Sequence, residues 1–129
     1  MTWERPIYYI LTDHHIAVPC DLETWACMFE NPANRIVQQT KIGPVLVSTV
    51  FLGLDHSFGA GDPVLFETMV FDAEAGDNWM CRYCTWEEAV RGHETTVKAT
   101  EDLVAAAKGR IAAQLAELGL NATDKTEIR

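Results

Sequence analysis

Two different spacings of hydrophobic residues divide the chain near Thr85. Before Thr85, short apolar runs are separated by turn-forming residues, which is typical of β-strands. After it, apolar residues recur every three to four positions as far as Leu118, as they do along one face of an α-helix. The pattern therefore predicts an α+β fold in which the strands come first and a long helix follows.

The N-terminal region predicts a twisted antiparallel sheet of about five or six strands and one short helix. Residues 45–54 are apolar on both faces of a strand, which favours a central position in the sheet. The short helix is expected after Asp21, a good N-cap residue. The predicted elements are a hairpin at 7–18, a helix at 22–30, and strands at 35–41, 45–54, 64–71 and 79–83.

The long helix is predicted to span about 85–118 and to pack on the sheet. Thr85 and Glu88 have the spacing of a capping box, and Gly119 is suited to end the helix. At about 1.5 Å per residue the helix is about 50 Å long, which exceeds the width of a domain of this size. We therefore expect either a homodimer paired along this helix or a bend or break near Gly109. The sequence predicts a single domain at 1–119 and a flexible tail at 120–129.

Composition narrows the range of partners. The chain has 129 residues and a net charge of −9, which disfavours direct binding to nucleic acid or to an anionic membrane. The same charge permits a basic protein partner. The N-terminus lacks the pattern of a signal peptide, and the apolar run at 45–54 is too short to span a membrane. These features predict a cytoplasmic protein.

The four cysteines are the first candidates for a metal site. Cys81 and Cys84 form a Cys-x-x-Cys pair, which is half of a common zinc site. Cys20 and Cys27 are separated by six residues, a spacing that does not supply the other half. We expect four reduced thiols, no metal and no cofactor.

Four polar residues form the candidate site: Asp55, His56, Glu67 and His93. If the strands pair directly through the turn at 59–63, Asp55 lies nearly opposite Glu67, with His56 beside them. His93 lies on the helix stripe that is predicted to cover the sheet. When two carboxyl groups lie close together, the pKa of one of them is raised. A nearby histidine can share the proton, or bind a metal ion, together with them. In the alternative interpretation, Glu67 forms a hydrogen bond to the backbone of a turn, and His93 is a buried histidine whose hydrogen bonds are satisfied within the core.

Three runs resemble a family of small proteins encoded by tailed phages and prophages: STVFLGLDHSFG at 48–59, LFETMVF at 65–71 and RYCTWEEAVRGH at 82–93. The resemblance covers about the middle half of the chain. It implies a phage setting within a bacterial host cell and identifies no catalytic residue. The polar positions typical of this family are the same Asp55, His56, Glu67 and His93.

Two functions compete at this stage. The first is a non-enzymatic binding protein that inhibits a host protein, such as a nuclease complex of host defence. The second is a small metal- or nucleotide-dependent hydrolase, or a nucleotide-binding protein, that uses Asp55, Glu67 and His93. The first is favoured because the chain has no specific catalytic motif. Convergence of the three residues in an open cleft would favour the second.

Overall fold

The computed structural model describes residues 5–74 and 78–119, so the predicted tail at 120–129 lies outside the described residues. The described residues confirm the α+β class. They form, in chain order, β1 (Tyr8–Leu11), β2 (Ala17–Cys20), α1 (Leu22–Glu30), a 3-10 turn (Pro32–Asn34), β3 (Ile36–Ile42), β4 (Val45–Phe51), β5 (Phe66–Asp72), β6 (Asn78–Tyr83) and α2 (Trp86–Glu117).

The strands form two antiparallel sheets. One is the hairpin β1-β2, and the other has the order β3-β4-β5-β6, which confirms the central position of β4. The two sheets are connected because the chain beyond β4 runs beside β1. There the Tyr9 amide donates to the Gly53 carbonyl at 2.8 Å, and Tyr8 forms a bridge with Leu54.

One side of the four-stranded sheet, the covered face, lies under α2. Helix α2 contacts all four strands of this sheet, whereas α1 mainly contacts β1 and the 3-10 turn. The core lies where the covered face, the hairpin and the start of α2 meet, and its buried members are Tyr9, Phe51, Leu65, Phe66 and Ala89. Burial of these side chains is the main stabilising contribution to the fold.

Helix α2 begins as predicted. The Thr85 hydroxyl accepts from the Glu88 amide, and the Glu88 carboxylate accepts from the Thr85 amide, both at 3.1 Å. The helix is continuous through Gly109 to Glu117, so the break expected there as an alternative is wrong. Among the described residues, neither helix has the length and hydropathy that a membrane span requires.

The centre of the buried stripe of α2 consists of small and polar residues. Ala89, His93 and Thr100 are its buried members, while Val90 and Val97 lie at the flanks and are half-buried. The apolar stripe predicts burial of Trp86, Val90 and Val97 at this contact, but all three are only half-buried. Small side chains instead allow the helix backbone to approach the sheet closely.

Candidate functional site

Asp55 organises a loop. Its carboxylate accepts hydrogen bonds from the Ser57 amide at 2.8 Å, the Val64 amide at 3.0 Å and the Ser57 hydroxyl at 3.0 Å. The Arg5 guanidinium lies 3.3 Å away. Burial alone would raise the pKa of Asp55, but these donors and Arg5 hold it below its usual value. The carboxylate is therefore ionised and fully bonded within its own loop.

His56 belongs to the same loop and turns back on the preceding residues. Its Nδ1 donates to the Leu54 carbonyl at 2.7 Å, and its amide donates to the Val64 carbonyl at 3.0 Å. The ring is half-buried. These bonds fix the shape of the loop between β4 and β5.

The strand register differs from the prediction. Glu67 lies opposite Val50 on β4 and Arg82 on β6, whereas Asp55 lies against Val64. The expected pairing of Asp55 with Glu67 is therefore wrong. Glu67 pairs inside the regular ladder, which ends at Phe51↔Phe66, whereas Asp55 lies beyond that end and beyond Gly53, whose φ is +65°.

Glu67 and His93 lie on opposite sides of the sheet. Side chains alternate along a strand, and Thr68 faces α2, so Glu67 faces the other side. There its carboxylate accepts from the Arg82 guanidinium at 3.0 Å. The cluster of Asp55, Glu67 and His93 is thus not formed. Among residues 5–74 and 78–119, the structure brings together no group of three His, Cys, Asp or Glu side chains suited to a metal ion.

His93 is fully buried between α2 and the covered face, at 0 % exposure. Its Nε2 lies 2.8 Å from the Thr40 hydroxyl, and its Nδ1 lies 2.7 Å from the Thr49 hydroxyl. The Thr49 hydroxyl in turn lies 2.6 Å from that of Thr68. Burial lowers the pKa of His93, so the imidazole is neutral and each ring nitrogen has a hydroxyl partner. This is a satisfied polar network in the core.

The side of the four-stranded sheet opposite α2, the open face, is unusually apolar. By strand alternation it carries six apolar side chains: Ile36, Leu46, Val50, Met69, Phe71 and Met80. Three of them are substantially exposed, Ile36 at 41 %, Phe71 at 39 % and Met80 at 48 %. A solvated face of an antiparallel sheet normally carries polar residues at these positions. They share the face with polar side chains such as Ser48 and Glu67, and a group of exposed apolar side chains on one sheet face is typical of a protein-binding site.

A second feature, the acidic cleft, lies between the β1-β2 turn and the start of α2. Its volume is about 380 Å³. Its apolar part includes Tyr9, Leu65 and Trp86, and the carboxylate residues Asp62 and Glu87 also line it. The His15 ring stacks on the Trp86 indole, with centroids 3.8 Å apart and planes 8° from parallel.

The cysteines are free thiols in the structure. The Cys84 sulfur lies 3.9 Å from the Asp62 carbonyl, beside the acidic cleft. Burial, with the charges of Glu88, Asp62 and Asp55, raises the pKa of Cys84. Cys84 is therefore a protonated and weakly nucleophilic thiol at neutral pH.

Comparison of the chain with protein-family models, with curated proteins and with solved structures returns no match. The geometry of the described residues is therefore the basis for the functional argument that follows.

Sequence reasoning missed both surfaces. For the open face a signal was present, because the second side of β4 carries Leu46 and Val50 where a solvated strand would be polar. For the acidic cleft no local signal existed. His15, Asp62 and Glu87 come from three separate segments, and only the tertiary fold brings them together.

Proposed function

We propose that this protein is a non-enzymatic binding protein, encoded by a phage or prophage, that acts in the cytoplasm of the bacterial host by covering a surface of a host protein. The open face is the binding site. The observation that carries the proposal is the exposure of Ile36, Phe71 and Met80 on a sheet face that neither helix covers.

The residues that an enzyme would use support the same conclusion. Asp55 is bonded within its loop, Glu67 is paired with Arg82, and His93 lies between two threonines under α2. A hydrolytic mechanism needs such groups to converge on a substrate. Each of them instead has a structural partner.

Net charge supports a host-defence nuclease as the partner class. At −9 the chain is complementary to the basic groove in which a nuclease holds nucleic acid. The open face itself carries Lys41 and Arg82 against the single carboxylate of Glu67, so the complementarity to a basic partner comes from the rest of the surface. The apolar face supplies contact area, and the acidic remainder of the surface accelerates association with a basic partner.

The proposal includes a homodimer formed along the second half of α2. Ile111 and Leu118 are 51 % and 76 % exposed and extend the apolar stripe towards the end of α2, where Ile111 also lines a cleft with Val45 and Val70. Such a dimer leaves the open face available to the host protein.

The test uses a photo-crosslinking amino acid placed at Met80, with Leu103 as the control position. Leu103 is 71 % exposed but lies on α2, away from the open face. In host cells we expect Met80 to cross-link to a bacterial protein that the Leu103 position does not capture. Cross-links from Met80 to a second copy only, or to nothing, would refute the proposed site.

Binding to the captured protein is then measured with purified components. Phe71→Ser and Met80→Ser should each weaken the affinity by about thirtyfold, because a central apolar side chain contributes about 2 kcal/mol to an interface. Leu103→Ser is the matched control and should leave the affinity unchanged. Equal effects of all three substitutions would argue against the open face.

A further inference from the structure

We propose that Arg82 gives the open face its specificity, by forming an ion pair with a carboxylate side chain of the bound host protein. The inference rests on the proposed function and deepens it, since it names the chemistry of the surface that the open face recognises. That surface is apolar and carries an aspartate or a glutamate. Its sign is opposite to the one that the net charge of −9 alone would suggest.

Arg82 lies on the edge strand β6, at the border of the open face. It stands directly opposite Glu67 in the register of β5 and β6, and Glu67 in turn stands opposite Val50 on β4. Met80 lies two residues earlier on β6 and therefore faces the same side of the sheet. Apolar side chains thus border the ion pair of Arg82 and Glu67 on the face that the host protein covers.

The pair with Glu67 fixes the guanidinium of Arg82. Its Nε donates to the Glu67 carboxylate at 3.0 Å, and its two terminal nitrogens bond to no other residue that the structure describes. These two nitrogens carry most of the N–H donors with which a guanidinium binds a carboxylate. Arg82 therefore offers donors for a second carboxylate in a position that folding has already set, which lowers the entropic cost of binding.

The open face is a basic region on an acidic protein. The chain has 19 acidic residues and 10 basic ones, whereas the described side chains of this face include two cations, Lys41 and Arg82, and one carboxylate, Glu67. The cation is also the more accessible member of the ion pair, since the side chain of Arg82 is 36 % exposed and that of Glu67 is 10 % exposed. A partner that covers this face therefore meets positive charge, which favours a carboxylate.

A carboxylate of a protein fits this arrangement better than the phosphates of a nucleic acid. Nucleic-acid surfaces place several cations along the path of the backbone. Here Lys41 and Arg82 lie on the two outer strands, β3 and β6, and the apolar centre of the face separates them. Protein interfaces, in contrast, are enriched in arginines among apolar side chains. In the proposed complex the open face therefore docks beside the basic groove of a nuclease, and the acidic remainder of the surface faces the groove.

The first test needs no host protein. A phage-displayed library of random peptides is selected on the wild type, and peptides that also bind Phe71→Ser are removed, so that those remaining need the open face. We expect these peptides to combine apolar residues with Asp or Glu, and Arg82→Met to weaken their binding about tenfold. Arg91→Met is the matched control and should have no effect, since Arg91 is an exposed arginine on α2.

Three results of this selection would overturn the proposal. They are enrichment of Lys or Arg in the peptides, an affinity that Arg82→Met leaves unchanged, and a selection that yields no peptide dependent on the open face. A short fluorescein-labelled DNA duplex is the probe for the competing ligand. We expect no binding of this duplex, and binding that Arg82→Met abolishes would also refute a protein carboxylate as the ligand.

The double variant Glu67→Gln and Arg82→Met separates recognition from stability. Arg82→Met alone leaves a largely buried carboxylate unpaired, whereas the double variant removes both charges. Its free energy of unfolding should be close to that of the wild type, while its affinity for the acidic peptides should still be about tenfold lower. Wild-type affinity in the double variant would mean that the pair has no part in recognition.

This proposal and the proposed function can fail separately. If Met80 cross-links to a host protein whose affinity Arg82→Met does not change, the ion pair is refuted and the binding site remains. If Met80 captures no host protein but the selected peptides are acidic and depend on Arg82, the chemistry of the face is supported and the host partner is refuted.

Discussion

Among single residues, His93 shows how a polar side chain is accommodated in this core. A neutral imidazole has one donor and one acceptor, and the hydroxyls of Thr40 and Thr49 can each take either role. Two arrangements of the hydroxyl and imidazole protons, which run in opposite directions between Thr40 and Thr68, give each ring nitrogen a hydrogen-bond partner. The imidazole is therefore satisfied without a charge.

Stability should fall with decreasing pH because of His93. Burial lowers the pKa of this residue below its usual value of 6.5, so the unfolded chain binds the proton more tightly than the folded protein. The stabilisation is complete above about pH 6.5 and is lost as the pH falls below that value. Urea unfolding of the wild type should show a decrease between about pH 7 and pH 5 that His93→Gln lacks. The same pH dependence in both proteins would contradict the assignment.

At the scale of elements, the position of α2 on the sheet depends on one glycine. A Cβ atom at Gly92 would lie 2.2 Å from the Tyr83 hydroxyl oxygen and 2.4 Å from a ring carbon. These distances are far below van der Waals contact. The helix can approach β6 only because this position has no side chain.

Substitutions at two glycines of the same helix should therefore have opposite effects. Gly92→Ala should destabilise the protein by about 2–3 kcal/mol through overpacking against Tyr83. Gly109→Ala should stabilise it by about 0.5–1 kcal/mol, because nothing lies near its Cβ and alanine favours the helix. Urea unfolding measures both. In the background of Tyr83→Ala, the effect of Gly92→Ala should largely disappear.

Elements whose signals are local could be predicted from the sequence. The cap at Thr85 and the helix after Asp21 depend on neighbouring residues, and both have the expected hydrogen bonds. The register of β4 and β5 could not be predicted. The regular pairing ends at Phe51, and the positive φ that takes the chain out of the strand lies at Gly53, inside an apolar run. A Cβ atom at Gly53 would lie within 3 Å of the Tyr9 carbonyl oxygen and the Trp25 indole. Contacts between residues so far apart in the sequence cannot be predicted from the alternation of apolar and polar residues along one strand.

The strand register also explains why the predicted grouping of the candidate residues is wrong. Each of the four polar residues forms hydrogen bonds within the fold. Their grouping failed because one shifted register moved Glu67 away from Asp55, and strand alternation placed it on the side opposite His93. Side-chain partners of this kind follow from the tertiary fold alone.

For the whole molecule, the length of α2 determines the expected oligomeric state. The helix has 32 residues, and its last turns carry the exposed side chains of Ile111 and Leu118. Light scattering at micromolar concentration should give the mass of a dimer. The double variant Ile111→Ser and Leu115→Ser should give a monomer of unchanged secondary structure, measured by circular dichroism. A monomeric wild type whose mass these substitutions do not change would refute the dimer.

The length of α2 also has a consequence for amide hydrogen exchange along the helix. The hydrogen bonds before Thr100 lie against the sheet and open only with larger parts of the fold. Those after Lys108 belong to about ten residues, a length that is marginal as an isolated helix in water. In a monomer, exchange should therefore become faster along the helix towards Glu117. In a dimer this gradient disappears, and its return on dilution measures the dissociation constant residue by residue.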